Sequence, residues 1–256
     1  MAAITYAREG DIGVITLDND DLNFFSADAF HELEECVGEI ENSDVRAAVW
    51  RAEGDVFSAG VDVQVFKDAA DAGDGFPSLV GPVQRLEALP IPTLAICHGL
   101  CLTAGLEVAL ACDMIWASES AKFGLVERVV GLTPGAGGTQ RMAERAGPAR
   151  AREFVMTGRL YDAATLERWN VINRVLADDE IAEKGMAFAR DLAAGPTVAH
   201  AKTKRIVRAY LDGGIDHADE VTPGVFADLF ETEDLKRAVE SFLAEGPGKF
   251  KDFKGR

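Results

Sequence analysis

The chain has 256 residues, 48% of them hydrophobic, which is enough for one large domain with a sizeable core. It carries 43 acidic against 26 basic side chains, a formal charge of -17. That balance excludes a basic face for nucleic acid or an anionic membrane, and leaves room for a small polyanionic ligand only where basic residues cluster. The first 13 residues have no apolar signal core, and no uninterrupted apolar run is as long as a membrane span. The expectation is a soluble cytoplasmic protein.

Ile4–Glu9 alternates and predicts a first strand. Gly10-Asp11 is a turn signal, and residues 13–17 predict a second strand, closing a hairpin. Ser26 is placed to cap a helix over Ala27–Glu41, where Phe30, Leu33, Cys36, Val37 and Ile40 recur at helical spacing. Residues 45–51 predict a third strand. Residues 55–63 then run from an apolar pair into small residues, and Asp62 opens a helical segment ending near Ala72. Small residues let another group approach the backbone, and free N–H groups at a helix start favour negative charge. An ordinary loop capped by Asp62 fits the same letters.

Residues 73–82 are rich in Gly, Pro and Asp and predict a loop; 83–89 predict a helix ended by Pro90 and Pro92. Thr93–Cys97 reads as a buried strand, 99–105 as a second turn of small residues, and 106–112 as a core helix, apolar almost all round. Residues 114–117 resume as strand, followed by a polar stretch over 118–122. The Gly-rich segment 133–141 enters a helix, but lacks both the ending of a P-loop and the spacing of a dinucleotide-binding turn. Helices are expected at 149–156, Ala163–Arg168 and 179–194, with a strand over 171–175. Beyond Gly195-Pro196 the pattern is helical throughout, at 198–212, 218–230 and 232–244. This tail is short for an independent domain and is expected to pack on the body or on another subunit. It closes on a basic-aromatic cluster, 249–256, which reads either as a solvated terminus or as a contact for an anionic ligand or neighbouring subunit.

Two glutamates, Glu107 and Glu127, fall where the pattern predicts burial, inside the longest apolar region of the chain. Burying a carboxylate is costly unless something needs it there. Ala104 and Glu107 are three apart at a helix start and share a face, so an oxygen held by the Ala104 N–H lies near the Glu107 carboxylate. Glu127 follows a strand and a turn, which is room enough to face Glu107. Either glutamate alone also fits a surface or ion-paired residue, but residues 108–111 leave the Glu107 helix almost no polar face. Cys36, Cys97, Cys101 and Cys112 read as small buried hydrophobes, with no second Cys/His pair at metal-ligand spacing. His31, His98, His200 and His217 have no triad partners at interpretable spacing. Lys202, Lys204, Arg205 and Arg208 form a basic helical patch that fits either an exposed face or contact with phosphates.

Phe57-Ser58-Ala59-Gly60-Val61-Asp62 resembles the first signature of the enoyl-CoA hydratase/isomerase (crotonase) superfamily. Residues 99–113 resemble its second signature, with Glu107 at the first catalytic glutamate, and Phe123-Gly124-Leu125-Val126-Glu127 its third, with Glu127 at the second. Residues 134–141 and 249–256 are similar to further family segments, in order along essentially the whole chain. The resemblance implies an α/β fold: a crotonase-like spiral of ββα units over 1–195 carrying an acyl-CoA site, then a C-terminal helical trimerisation region over 196–256 that closes the CoA pocket. It implies homotrimers or dimers of trimers, an acyl-CoA thioester as ligand, and no metal or cofactor apart from the coenzyme A of the substrate. By position, Glu107 is the base that activates water and Glu127 the proton donor to C2. The Val61 and Ala104 backbone N–H groups form the oxyanion hole. Ala59, Gly60, Asp62, Val63 and Lys249 contact the CoA ester, Ala59 along the adenine or pantetheine path. The activity implied is reversible syn-addition of water across the 2,3 double bond of a 2-enoyl-CoA. A Δ3,Δ2-enoyl-CoA isomerase working through one carboxylate, or an acyl-CoA binder without turnover, are the alternatives. Thr103-Ala104 stands where the family usually has two glycines, Val126 replaces a frequent proline, and residues 18–25 depart from the usual pattern. These departures bear on substrate identity more than on reaction type.

Overall fold

The computed structural model of the chain describes residues 2–72 and 80–255. Strands β1 (Ile4–Glu9) and β2 (Ile12–Leu17) form the expected antiparallel hairpin. A short strand β3 (Phe24–Phe25) leads into α1 (Ala27–Glu41), whose first turn is capped by Ser26 Oγ accepting the Ala29 N–H at 3.3 Å. The five apolar residues read at helical spacing are all buried. There follow β4 (Ala47–Ala52), β5 (Gly60–Val61), α2 (Val63–Ala72), α3 (Val80–Ala88), β6 (Thr93–Cys97), β7 (Leu100–Leu102) and α4 (Thr103–Ala111). Next are β8 (Met114–Ser118), β9 (Lys122–Gly124), a 3-10 turn at Glu127–Val130, α5 (Gly138–Ala146), α6 (Pro148–Thr157), β10 (Tyr161–Asp162), α7 (Ala163–Arg168) and β11 (Arg174–Leu176). Helices α8 (Ile181–Ala193), α9 (Thr197–Phe230) and α10 (Glu233–Glu245) complete the chain.

The main sheet has the order β1-β2-β4-β6-β8-β11, parallel everywhere except the opening hairpin. Parallel strands buried on both faces read as continuous apolar runs, and β2 and β6 are buried at every residue. Alternation sorts the side chains. Val14, Val49, Leu94, Ile96 and Trp116 face α8, whereas Ile15, Trp50, Ala95, Cys97 and Ile115 belong to the larger core containing α1 and α4. Helix α8 lies close on the sheet, since a methyl on Gly185 would stand 2.7 Å from Ile96 Cδ1. Each large aliphatic side chain so buried contributes on the order of 2 kcal/mol.

A second sheet, β10-β9-β7, and the two-stranded pair β3-β5 carry the segments on which the resemblance rests. Four expectations are corrected here. The predicted turn over 99–105 contains strand β7, because Leu100, Cys101 and Leu102 pair with Lys122, Phe123 and Gly124. The polar stretch ending at Lys122 runs into strand β9 for the same reason. The strand expected at 171–175 begins only at Arg174, since Val171 and Ile172 close a turn after α7 and the Asn173 side chain accepts the Ile115 N–H at 2.8 Å. Of the loop expected at 73–82, residues 73–79 lie outside the described residues, and Val80, Gly81 and Pro82 already belong to α3. A proline within the first turn lacks only an N–H that would have no partner there.

The two helices expected at 198–212 and 218–230 run on as α9, broken at Gly214, whose φ of 76° and ψ of -170° are not helical. The tail is tied back to the body through Arg46. Its guanidinium donates to Gly195 O at 2.6 Å, Thr197 Oγ1 at 2.8 Å and Phe253 O at 2.9 Å. Buried Asp234 accepts the Lys254 and Gly255 N–H groups, both at 2.7 Å. Three members of the basic helical patch are partnered within the chain: Lys202 pairs with Asp228, Lys204 with Asp113 at 2.9 Å and Arg208 with Asp212 at 3.0 Å. Among the described residues, no helix is long and apolar enough to cross a membrane.

Candidate active site

Helix α4 is buried at all nine positions, Glu107 included at 3% exposure. Its carboxylate meets the Gly-rich stretch, where Glu107 Oε1 accepts the Ala136 N–H at 2.9 Å and the Gly138 N–H at 2.8 Å. The glycines there serve this contact. Gly137 has φ +104°, and a methyl on Gly138 would stand 2.8 Å from Glu107 Cγ. Arg141 braces the stretch from behind. It is buried, donates to Glu87 Oε1 at 2.9 Å and Oε2 at 2.7 Å, and reaches the Ala136 and Gly137 carbonyls at 3.4 and 3.3 Å. The Arg141–Glu87 pair escaped the sequence reading. Its one signal was an arginine directly after the Gly-rich stretch.

Glu127 opens the 3-10 turn and is 8% exposed. Neither carboxylate oxygen has a hydrogen-bond partner among the described residues. Burial pushes its pKa up to about 7, and the charge of Glu107 adds to the shift, so the two acids feel each other. Burial also raises Glu107, but the amides of Gly138 and Ala136 and the Arg141 charge oppose it. The two environments therefore differ in kind. Amides of the Gly-rich stretch and the Arg141 charge favour the ionised form of Glu107, whereas only its own backbone amide does so for Glu127.

The two amides expected to form the oxyanion hole lie on β5 and at the start of α4. Asp62 N–H donates to Phe25 O at 3.1 Å, into the β3–β5 pairing. Successive N–H groups of a strand leave by opposite edges, so the Val61 N–H leaves away from β3. The start of α4 packs on the residue before Val61, where a methyl on Gly60 would stand 2.1 Å from Thr103 Oγ1. The α4 first turn is uncapped, since Leu102 in the cap position offers no side-chain acceptor. The Ala104 N–H is thus one of the amides without a helical partner. Thr103 itself has φ +42°, a left-handed conformation for a β-branched residue. Such strain costs on the order of 1–3 kcal/mol and persists where the surroundings enforce it.

The loop between β4 and β5 is held by contacts the sequence did not announce. Ser58 N–H donates to Leu100 O and Leu102 N–H to Ser58 O, both at 2.9 Å. Buried Asn23 donates to Glu53 O at 2.8 Å and Val56 O at 2.7 Å, and its carbonyl accepts from Ser58 Oγ at 3.0 Å. Of the residues assigned to the CoA ester, Gly60 is buried, Ala59 is half-buried, and Asp62 and Val63 are exposed. Asp62 Oδ1 accepts the Gln64 N–H at 2.9 Å, the helix-capping role also read from sequence. Lys249 lines a different cleft, of about 640 Å³, with Arg237, Glu240, Phe250 and Asp252. The four cysteines are free and buried, and among the described residues no three His, Cys, Asp or Glu side chains are grouped as a metal would need.

The chain matches enoyl-CoA hydratase/isomerase over residues 7–254. It belongs to that family. A probable enoyl-CoA hydratase from Rhizobium meliloti is 32% identical over 246 residues, 95% of either chain. A short-chain-enoyl-CoA hydratase from Clostridium acetobutylicum is 32% identical over 254 residues, 97% of either chain. Among solved structures, an enoyl-CoA hydratase subunit I from Geobacillus kaustophilus superposes with a TM-score of 0.89 at 32% identity, covering 100% of this chain and 99% of that one. A protein from Mycobacterium abscessus described as a putative enoyl-CoA hydratase/isomerase reaches 0.90 at 27% identity, covering 99% and 100%. The crotonase-like α/β fold with its C-terminal helical region is therefore the fold of this chain.

Proposed function

We propose that the protein is an enoyl-CoA hydratase that adds water reversibly, in syn fashion, across the 2,3 double bond of a 2-enoyl-CoA thioester. The observation that carries this reading is the pair of buried carboxylates held in unlike environments. Ionised Glu107 takes a proton from water as its oxygen attacks C3. Protonated Glu127 delivers a proton to C2, and the roles reverse in dehydration. Negative charge grows on the thioester oxygen in the transition state. The Val61 and Ala104 amides stabilise it, each worth on the order of 3 kcal/mol. No cofactor is required beyond the coenzyme A that the substrate carries. Ala59, Gly60, Asp62 and Val63 line the path of that group.

The protein works as a homotrimer or a dimer of trimers. Support comes from α9 and α10, which expose Ile215, Phe226, Phe230, Phe242 and, at 80%, Leu243. Apolar side chains grouped this densely on one pair of helices mark an association surface.

The test is a parallel assay of crotonyl-CoA, decenoyl-CoA and a 3-enoyl-CoA, following the absorbance of the conjugated enoyl thioester. Loss of absorbance from the 2-enoyl substrates supports hydration. Its appearance from the 3-enoyl substrate alone makes the protein an isomerase, and no change with retained binding makes it a binder.

A further inference from the structure

We propose that the Thr103 hydroxyl is a third hydrogen-bond donor to the thioester oxygen, acting beside the Val61 and Ala104 amides; this deepens the hydratase reading and rests on it. Thr103 is 8% exposed, and its Oγ1 is buried without a hydrogen-bond partner among the described residues. The oxygen presses on Gly60, where an added methyl would stand 2.1 Å away. Gly60 immediately precedes Val61, and Thr103 immediately precedes Ala104. The hydroxyl therefore sits between the two residues whose successors present the amides. Glu127 shares its condition, with both carboxylate oxygens buried and unpartnered. Unsatisfied buried polar groups are rare, and each calls for a partner that satisfies it.

The backbone gives an independent reason. A β-branched residue at φ +42° is strained, and glycine at position 103 would relieve that strain. The chain keeps a threonine that its own fold resists and whose hydroxyl has nothing to bond. An acceptor that arrives with the substrate resolves both facts. The thioester oxygen, aimed at the neighbouring amides, is that acceptor, and it becomes a stronger one as charge develops on it.

Three variants separate the hydroxyl from the shape of the side chain. Thr103→Val keeps shape and branching and removes the donor. Thr103→Gly removes donor and strain together. Thr103→Ser keeps the donor. Two readouts are taken: kcat and KM for crotonyl-CoA hydration, and the red shift of bound 2,4-hexadienoyl-CoA, which reports polarisation of the thioester carbonyl. The expected result is a kcat roughly 10- to 100-fold lower in the Val and Gly variants with KM little changed. The red shift should be smaller in both, and the Ser variant should recover most of kcat and of the shift. A Val or Gly variant with the parent's kcat and red shift would overturn the proposal, as would a Ser variant as impaired as Val. The Gly variant guards against misfolding, since it lifts strain. A protein that hydrates no enoyl-CoA defeats the hydratase reading instead, and the red shift still reads the hydroxyl in that case.

Discussion

Glu107 and Gly138 fit each other: the Gly138 N–H donates to Glu107 Oε1 at 2.8 Å, and the Gly138 Cα leaves no room for a methyl, which would stand 2.8 Å from Glu107 Cγ. The glycine is required by the carboxylate and not by its own backbone, since its φ lies outside the left-handed region. Gly138→Ala therefore pushes the carboxylate away instead of straining the turn. We expect kcat for crotonyl-CoA to fall roughly 10- to 100-fold, with an overpacking cost of about 1–3 kcal/mol in denaturant unfolding. An alanine variant with the parent's kcat would show that the placement of Glu107 does not matter.

Arg141 and Glu87 hold the other side of that stretch. Removing one partner of a buried pair leaves an uncompensated charge, which costs about 3–5 kcal/mol. Glu87→Gln keeps the shape and one acceptor for Arg141, whereas Arg141→Ala also removes the contacts to the Ala136 and Gly137 carbonyls. Urea titrations should give Arg141→Ala the larger destabilisation and Glu87→Gln the smaller. Equal and negligible losses would make the pair incidental.

The pH dependence follows from Glu127. Held at about 7, it is the proton donor in hydration, so the hydration rate should fall as pH rises through that value. Glu127→Gln should remove this limb along with most of the activity. Stability carries the same signature. An acid raised from 4.5 to about 7 binds its proton more tightly folded than unfolded, so its stabilising contribution is complete below pH 4.5 and lost as pH rises through about 7. Ionising it in place costs on the order of 3 kcal/mol. Thermal melts should therefore show Glu127→Gln more stable than the parent at pH 8 and little different at pH 4. An identical difference at both pH values would contradict the assignment.

What could be read from the letters was whatever local pattern decides. The β1–β2 hairpin, α1 with its Ser26 cap, the buried strand β6 and the almost wholly apolar α4 each carry their period and their punctuation within a few residues. The strands that form the site do not. β3, β5, β7, β9 and β10 are two or three residues long, and each exists because a partner distant in sequence pairs with it. Residues 99–105 read as a turn because pairing with Lys122–Gly124 is invisible locally. Glu107 and Glu127 stood out because a carboxylate in an apolar run is conspicuous. The Arg141–Glu87 brace and the Asn23 contacts did not, since a surface charge and a polar turn look the same before the chain folds.

The exposed apolar side chains of α9 and α10 lead to a prediction on assembly. Sedimentation should report three or six copies, and Ile215→Asp with Leu243→Asp should shift the protein to a monomer that keeps its helical circular dichroism. A parent that sediments as a monomer would remove the proposed assembly.

The central claim is that Glu107 and Glu127 act as one unit on one water. Hydration of crotonyl-CoA by the parent, Glu107→Gln, Glu127→Gln and the double variant tests it directly. Either single substitution should lower kcat by orders of magnitude while the CoA ester still binds, and the double should be scarcely worse than the more impaired single, as expected of residues that work together. Undiminished turnover in either single variant, or losses that multiply in the double, would contradict it.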